Sequence, residues 1–256
     1  MNFTDSFKKK IVVIIFTAVA FSLLWPFLGF EVAGLKINLA DGFPVMLGFM
    51  FGSSGAIGCF LGTIGPDLFS NELSLRTLAN ALGYFALSYA PYKIWAVILK
   101  REEENVFLIK KIGDVAAYLL TGAVGSLLCA LPLAFVEDVV YQTESIATGY
   151  IFEVIEVALS VFTVGMLIYI LLSAFNMFGL AKSVKKYPLK THLHMLTLVI
   201  YAIIVLVIAI VGHFLAGDAT RNLWVVVPMG LFGALMFIDL MYGGSKPVIL
   251  EKDPSE

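Results

Sequence analysis

FPVMLGFMFGSSGAIGCFLGTIGPDLF, running from Phe43 to Phe69, is the stretch on which the fold turns. As one helix it would measure about 40 Å at about 1.5 Å per residue, a length that a tilted membrane span accommodates. Yet it carries Gly48, Gly52, Ser53, Ser54, Gly55, Gly58, Gly62, Gly65 and Pro66, with Gly52-Ser53-Ser54-Gly55 at its middle. The basic residues decide how often it crosses, because lysine and arginine collect in the cytoplasmic loops of membrane proteins. Lys8, Lys9 and Lys10 precede the first apolar run. Lys100, Arg101, Lys110 and Lys111 share one loop, Lys182, Lys185, Lys186 and Lys190 share another, and Lys246 and Lys252 lie in the tail. One crossing by 43–69 would turn the loop at Lys100 outward. Two crossings, broken at Gly52-Ser53-Ser54-Gly55, put every one of these clusters on one side. Two short passes, or a re-entrant pair, are therefore expected.

Working outward, the first apolar run follows Lys10 and continues to Phe30. Further runs cover Leu75 to Leu99, Val115 to Val136, Gly149 to Leu180, Met195 to Leu215 and Leu223 to Tyr242. A bilayer core needs about 20 apolar residues per helix, and each run is of that order. The expected fold is an all-α integral membrane protein, a polytopic bundle of about eight membrane helices with both termini cytoplasmic, placed in the plasma membrane. It reads as a single domain over 1–256, made of a six-helix core at 1–180, an additional helix pair at 191–242 and a short tail at 243–256. The composition agrees: 60% hydrophobic, 14% charged and a mean hydropathy of +0.93, against about half apolar and a quarter charged in soluble domains. The lysines before the first run, with Ala18-Val19-Ala20 inside it, imitate a signal peptide, but the run is long enough to stay as a helix. Cys59 and Cys129 sit in apolar runs and read as buried small hydrophobes.

Short helices cannot leave their ends in lipid, where an unpaired backbone group costs several kcal/mol. They are expected to pack inside the protein, through the Gly48/Gly52 and Gly58/Gly62 spacings. On this topology the outer loops are 31–42, 69–76, 136–148 and 216–222. The outer side then holds Glu31, Asp41, Asp67, Glu72, Glu137, Asp138, Glu144, Glu153, Glu156 and Asp218 against Lys36, Arg76 and Arg221. Ionisable groups at membrane depth are expensive and mark functional sites. Glu153 and Glu156 lie one turn apart on one helix, Asn80 and Tyr84 share a face at matching depth on another, and Asn38 and Asp41 belong to the first outer loop. With Asp67 after Pro66, these seven are the candidate substrate-binding residues. Glu137, Asp138 and Glu144 read as a solvated loop, Asp114 as a helix cap, and Asp239 as a partner for Lys246.

Other functions lose their footing. A net charge of -2 leaves no basic surface for nucleic acid. The chain has no GxSxG elbow, no HExxH, no P-loop and no glycine fingerprint after a strand, so neither an enzyme nor a resident cofactor is expected. His192-x-His194 lacks nearby cysteines or carboxylates, so no metal site is expected.

The stretch Leu35-Lys36-Ile37-Asn38-Leu39-Ala40-Asp41-Gly42-Phe43-Pro44, followed by Leu47-Gly48-Phe49-Met50-Phe51-Gly52 and Gly55-Ala56-Ile57-Gly58, resembles the S component of energy-coupling factor (ECF) vitamin transporters. Ser53-Ser54 stands here where that family carries a Gly-Pro element. The resemblance implies a subunit that captures a vitamin-like micronutrient from outside, in a pocket closed by outer loops. It would then dock on a membrane coupling subunit driven by two cytoplasmic ATPases. It also implies docking through small residues of the first helix, for which this chain offers Ala18-x-x-x-Ser22 with Ala20 between. The two last helices exceed the family's six. Two other readings stay open: a membrane sensor or scaffold without transport, and a self-sufficient ion-coupled carrier using Glu153, Glu156 and Asp67.

Overall fold

The computed structural model describes residues 3–32, 34–98, 108–109, 112–175, 189–216, 219–220 and 222–242. Helix α1 (Phe3–Leu24) stops earlier than the apolar run, because Pro26 has no N–H for the helix ladder and the chain tightens into a 3-10 turn at Trp25–Phe27. A hairpin follows, with β1 (Gly29–Val32) antiparallel to β2 (Leu35–Asn38) and Phe30 opposite Ile37. A second 3-10 turn, Leu39–Gly42, leads into α2 (Phe43–Phe51). Then come α3 (Ser53–Ser70), α4 (Leu75–Ile98) and α5 (Ile112–Val136), the last prolonged by a π-turn at Glu137–Tyr141. Helix α6 (Ile146–Ala174) contains a π-turn at Val161–Gly165, and α7 (Leu189–Ala216) and α8 (Leu223–Tyr242) complete the bundle. The protein is an all-α polytopic membrane protein. Five of its helical stretches are long and apolar enough to cross a bilayer: Phe7–Phe27, Ile112–Tyr141, Ile146–Ala174, Thr191–Ala216 and Leu223–Tyr242.

The stretch 43–69 does break at the glycine-serine cluster. Gly52 has φ 58° and ψ -134°, a conformation closed to residues with a Cβ, and it ends α2 and starts α3 in one step. The two halves are unequal, however. Helix α2 has nine residues, about 13 Å, while α3 has eighteen and is close to the length of a bilayer core. The descending half is short because its upper part is made by β2 and the 3-10 turn, so strand backbone replaces helix at depth. Such backbone is tolerated in a membrane protein where it lines a cavity or lies against protein.

Close approaches fix the directions. The position of a Cβ on Gly58 would lie 2.5 Å from Thr17, and Ser22 Oγ donates to Gly62 O at 2.6 Å, so α1 and α3 run parallel. Gly48 meets Ser88, and Gly52 meets Tyr92, so α2 runs parallel to α4. Gly83 against Cys129, and Gly125 against Pro91, set α4 and α5 antiparallel. Thr148 Oγ1 reaches His213 Nδ1 at 3.0 Å, and His194 reaches Asp239, so α7 runs against both α6 and α8. Hence the start of α1 and the end of α8 share one end of the bundle, and the hairpin closes the other. Apolar side chains such as Phe16, Val19, Leu196, Val207 and Leu231 cover the outside.

Several polar residues hold helices together. Asp138, expected in a solvated loop, is buried and accepts from Ile146 N at 2.6 Å, tying the end of α5 to the start of α6. Glu137 pairs with Arg76 of α4 at 2.5 Å. Asp114 lies within the first turn of α5 and is buried. Asp239 takes His194 Nδ1 at 2.8 Å and Thr197 Oγ1 at 2.5 Å, so its partners are on α7; Lys246 lies outside the described residues. Asp239→Ala is expected to lower stability by about 1–2 kcal/mol, the range for interhelical hydrogen bonds in membranes, seen as a lower unfolding midpoint in detergent. An unchanged midpoint would show that the α7–α8 contact does not depend on this carboxyl group.

Candidate polar cavity beneath the hairpin

A cavity of about 390 Å³ opens at the hairpin end, between β1–β2, the top of α2, α4, α5 and α6. Its polar side chains arrive on four elements. Asn38 closes β2 and caps the following turn, its Oδ1 accepting from Ala40 N at 3.0 Å while its Nδ2 donates to Trp25 O at 3.0 Å. Asp41 sits in that turn, just above α2, and is only 4% exposed. Asn80 and Tyr84 come from α4, one turn apart, and Glu153 and Glu156 come from α6.

A chain of hydrogen bonds runs through the wall. Trp25 Nε1 donates to Tyr84 Oη at 3.0 Å, and Tyr84 Oη donates to Asp41 Oδ1 at 2.5 Å. Tyr84 also packs on Phe21 of α1, with ring centroids 5.3 Å apart. Glu156 Oε1 accepts the backbone N–H of Lys36 at 2.7 Å, pinning the hairpin to α6 about ten residues from the start of that helix. The hairpin is therefore recessed into the bundle. Gly42 makes this possible, since a Cβ there would lie 2.6 Å from Gly165 N on the π-turn of α6.

Six of the seven residues expected to bind substrate thus line one cavity: Asn38, Asp41, Asn80, Tyr84, Glu153 and Glu156. Asp67 does not. Its carboxyl group accepts from Thr77 Oγ1 and its carbonyl caps the end of α3, so it joins α3 to α4. Reading residue types missed Trp25, Phe30 and Lys36, which also line the cavity. Trp25 beside Pro26 was the available signal, because that pair stops α1 at cavity depth.

No family model, curated protein or solved structure matches this chain. The chemistry of the cavity therefore has to carry the reading. Among the described residues no group of three or more His, Cys, Asp or Glu is placed to hold a metal ion. A second cavity of about 420 Å³, between α4, α5 and α8, is lined by side chains such as Leu82, Leu131, Pro132, Phe135 and Phe237 and by no polar side chain. It can offer an apolar group nothing that lipid does not.

Two of the three small residues expected to dock a partner meet α3. Ser22 Oγ is bonded to α3, and Ala18 lies against Gly62, so two of Ala18, Ala20 and Ser22 are occupied inside the bundle. The outward ridge of α1 is bulky instead, formed by Val12, Phe16, Val19 and Leu23.

Proposed function

We propose that this chain is the substrate-binding subunit for uptake of a small organic micronutrient, taking its ligand into the cavity beneath the hairpin. The observation that supports it is the convergence of Asn38, Asp41, Asn80, Tyr84, Glu153 and Glu156, from four separate elements, on one space of about 390 Å³. Small-molecule sites run from about 300 to 1,000 Å³ and set a few placed polar groups in a largely apolar wall, which describes this cavity. The lysine clusters orient the bundle with the hairpin outward by the positive-inside rule, so the ligand enters from outside the plasma membrane. The chain has no nucleotide-binding motif, so ATP-driven uptake in the manner of ECF transporters requires a coupling subunit and ATPases as partners. The bulky outward ridge of α1 is the face offered for that contact.

The test is mass spectrometry of the small molecule released when the purified protein is denatured. One vitamin-sized compound at near one-to-one stoichiometry is expected, and Asn80→Ala with Glu156→Ala should abolish its retention. Retention unaffected by both changes would overturn the reading. The ion-coupled carrier has one observation in its favour, the carboxyl group of Glu153 facing the cavity without a hydrogen-bond partner among the described residues. It requires uptake driven by a proton or sodium gradient into vesicles holding no other protein, which the binding-subunit reading forbids.

A further inference from the structure

We propose that the ligand is an organic cation whose positively charged nitrogen sits against Glu153; this rests on the reading of the cavity as a ligand site. Two of the three acidic groups in the wall already have a hydrogen-bond partner. Asp41 is held by Tyr84 at 2.5 Å, and Tyr84 by Trp25. Glu156 is held by the Lys36 backbone at 2.7 Å. Glu153 has no hydrogen bond or ion pair among the described residues. The charges that bear on it come from Asp41, Glu156, Glu144 and Glu137, every one a carboxyl group.

The wall therefore carries three carboxyl side chains and a single ammonium, that of Lys36. Lys36 is solvent-exposed and its charge acts on Glu156. What the cavity lacks is a positive charge in front of Glu153. A bare metal ion does not supply it, because a hard cation needs several converging oxygen ligands, and no such group is assembled among the described residues. A ligand bearing a carboxylate or phosphate would meet like charge on three sides. An ammonium or amidinium on an organic frame answers both features of the site. It pairs with Glu153, and its flanking carbons lie against Trp25, Phe30 and Tyr84, whose ring faces attract cations.

The test uses three probes of one shape and different charge: tryptamine, tryptophol and indole-3-acetate, with affinity read from thermal-shift titration of the purified full chain in detergent. Tryptamine is expected to bind about tenfold more tightly than tryptophol, and indole-3-acetate more weakly than either. Glu153→Gln should bring tryptamine to the level of tryptophol, while Glu153→Asp keeps the order. Glu153 makes no bond that folding needs, so both variants should fold; if Glu153→Gln does not, the wild-type order of the three probes decides alone. Equal binding of tryptamine and tryptophol, a preference for the anion, or no binding of any probe would overturn the cation. A neutral or anionic molecule released from the purified protein would overturn it too while leaving the binding-subunit reading intact, whereas an empty cavity that retains nothing would count against that reading itself.

Discussion

Replacing Gly48 by valine is expected to leave almost no folded protein in detergent extracts. A Cβ at this position would stand 2.0 Å from Ser88 O and 2.9 Å from its carbonyl carbon, both backbone atoms of α4. Reaching ordinary contact at 3.4 Å means moving α2 and α4 apart by about 1.4 Å, the difference of the two distances. Helix α2 has no slack for that. Its far end is fixed by the sharp turn at Gly52, and its near end by Asp41 under Tyr84 and by Gly42 against the π-turn of α6. Overpacking a close interior contact costs about 1–3 kcal/mol and more when backbone must shift; a displaced half-helix belongs to the upper end. Stabilities of about 5–15 kcal/mol leave little margin for it. Gly230→Ala is the control, since a Cβ there meets only the ring of Phe135, at 3.1 Å, and that side chain can turn away. Size-exclusion yield and unfolding midpoint separate the two. A Gly48→Val protein with wild-type yield and midpoint would mean that α2 does not lie against α4 as described.

The glycines illustrate how far the residues themselves disclose the fold. The break at 52–55 was legible because glycine and serine interrupt an apolar run, and because lysine placement demands an even number of crossings. The unequal lengths of α2 and α3 were not, since the apolar run is continuous on both sides of the break. What shortened α2 is tertiary: the hairpin descends into the bundle, a placement that rests on Gly42 fitting against Gly165 and Lys36 N reaching Glu156. The cavity was partly legible for a related reason. Polar residues at membrane depth are costly, so Asn80, Tyr84, Glu153 and Glu156 stood out singly. Asp67 stood out by the same rule yet belongs to a helix joint with Thr77, because depth alone does not distinguish a residue facing the cavity from one facing a neighbouring helix. Trp25 could not be found by that rule, being apolar over most of its surface and polar only at Nε1.

Tyr84→Phe is expected to lower stability by about 2–3 kcal/mol and to abolish ligand retention, though it removes a single oxygen. The ring stays, and with it the packing on Phe21 at 5.3 Å, so the change isolates the hydroxyl. That hydroxyl accepts from Trp25 Nε1 and donates to Asp41 Oδ1. Its loss strands a half-buried indole N–H and a buried carboxyl group at 4% exposure, and an unmet buried group costs about 1–3 kcal/mol. Asp41→Leu alone should be comparably harmful, since it leaves the phenol without an acceptor. Together, however, the two changes should cost less than their sum by about 1–2 kcal/mol, because removing both ends of a buried hydrogen bond leaves only the indole unmet. The double variant is expected to be destabilised by less than the two single changes summed and still not to retain ligand, since Asp41 and Tyr84 both belong to the cavity wall. Unfolding midpoints of the four proteins, with and without the ligand, give the cycle. Strict additivity would show that the Tyr84–Asp41 contact stores no mutual energy. A Tyr84→Phe protein that still retains its ligand would show that the Tyr84 hydroxyl is not among the groups that hold it.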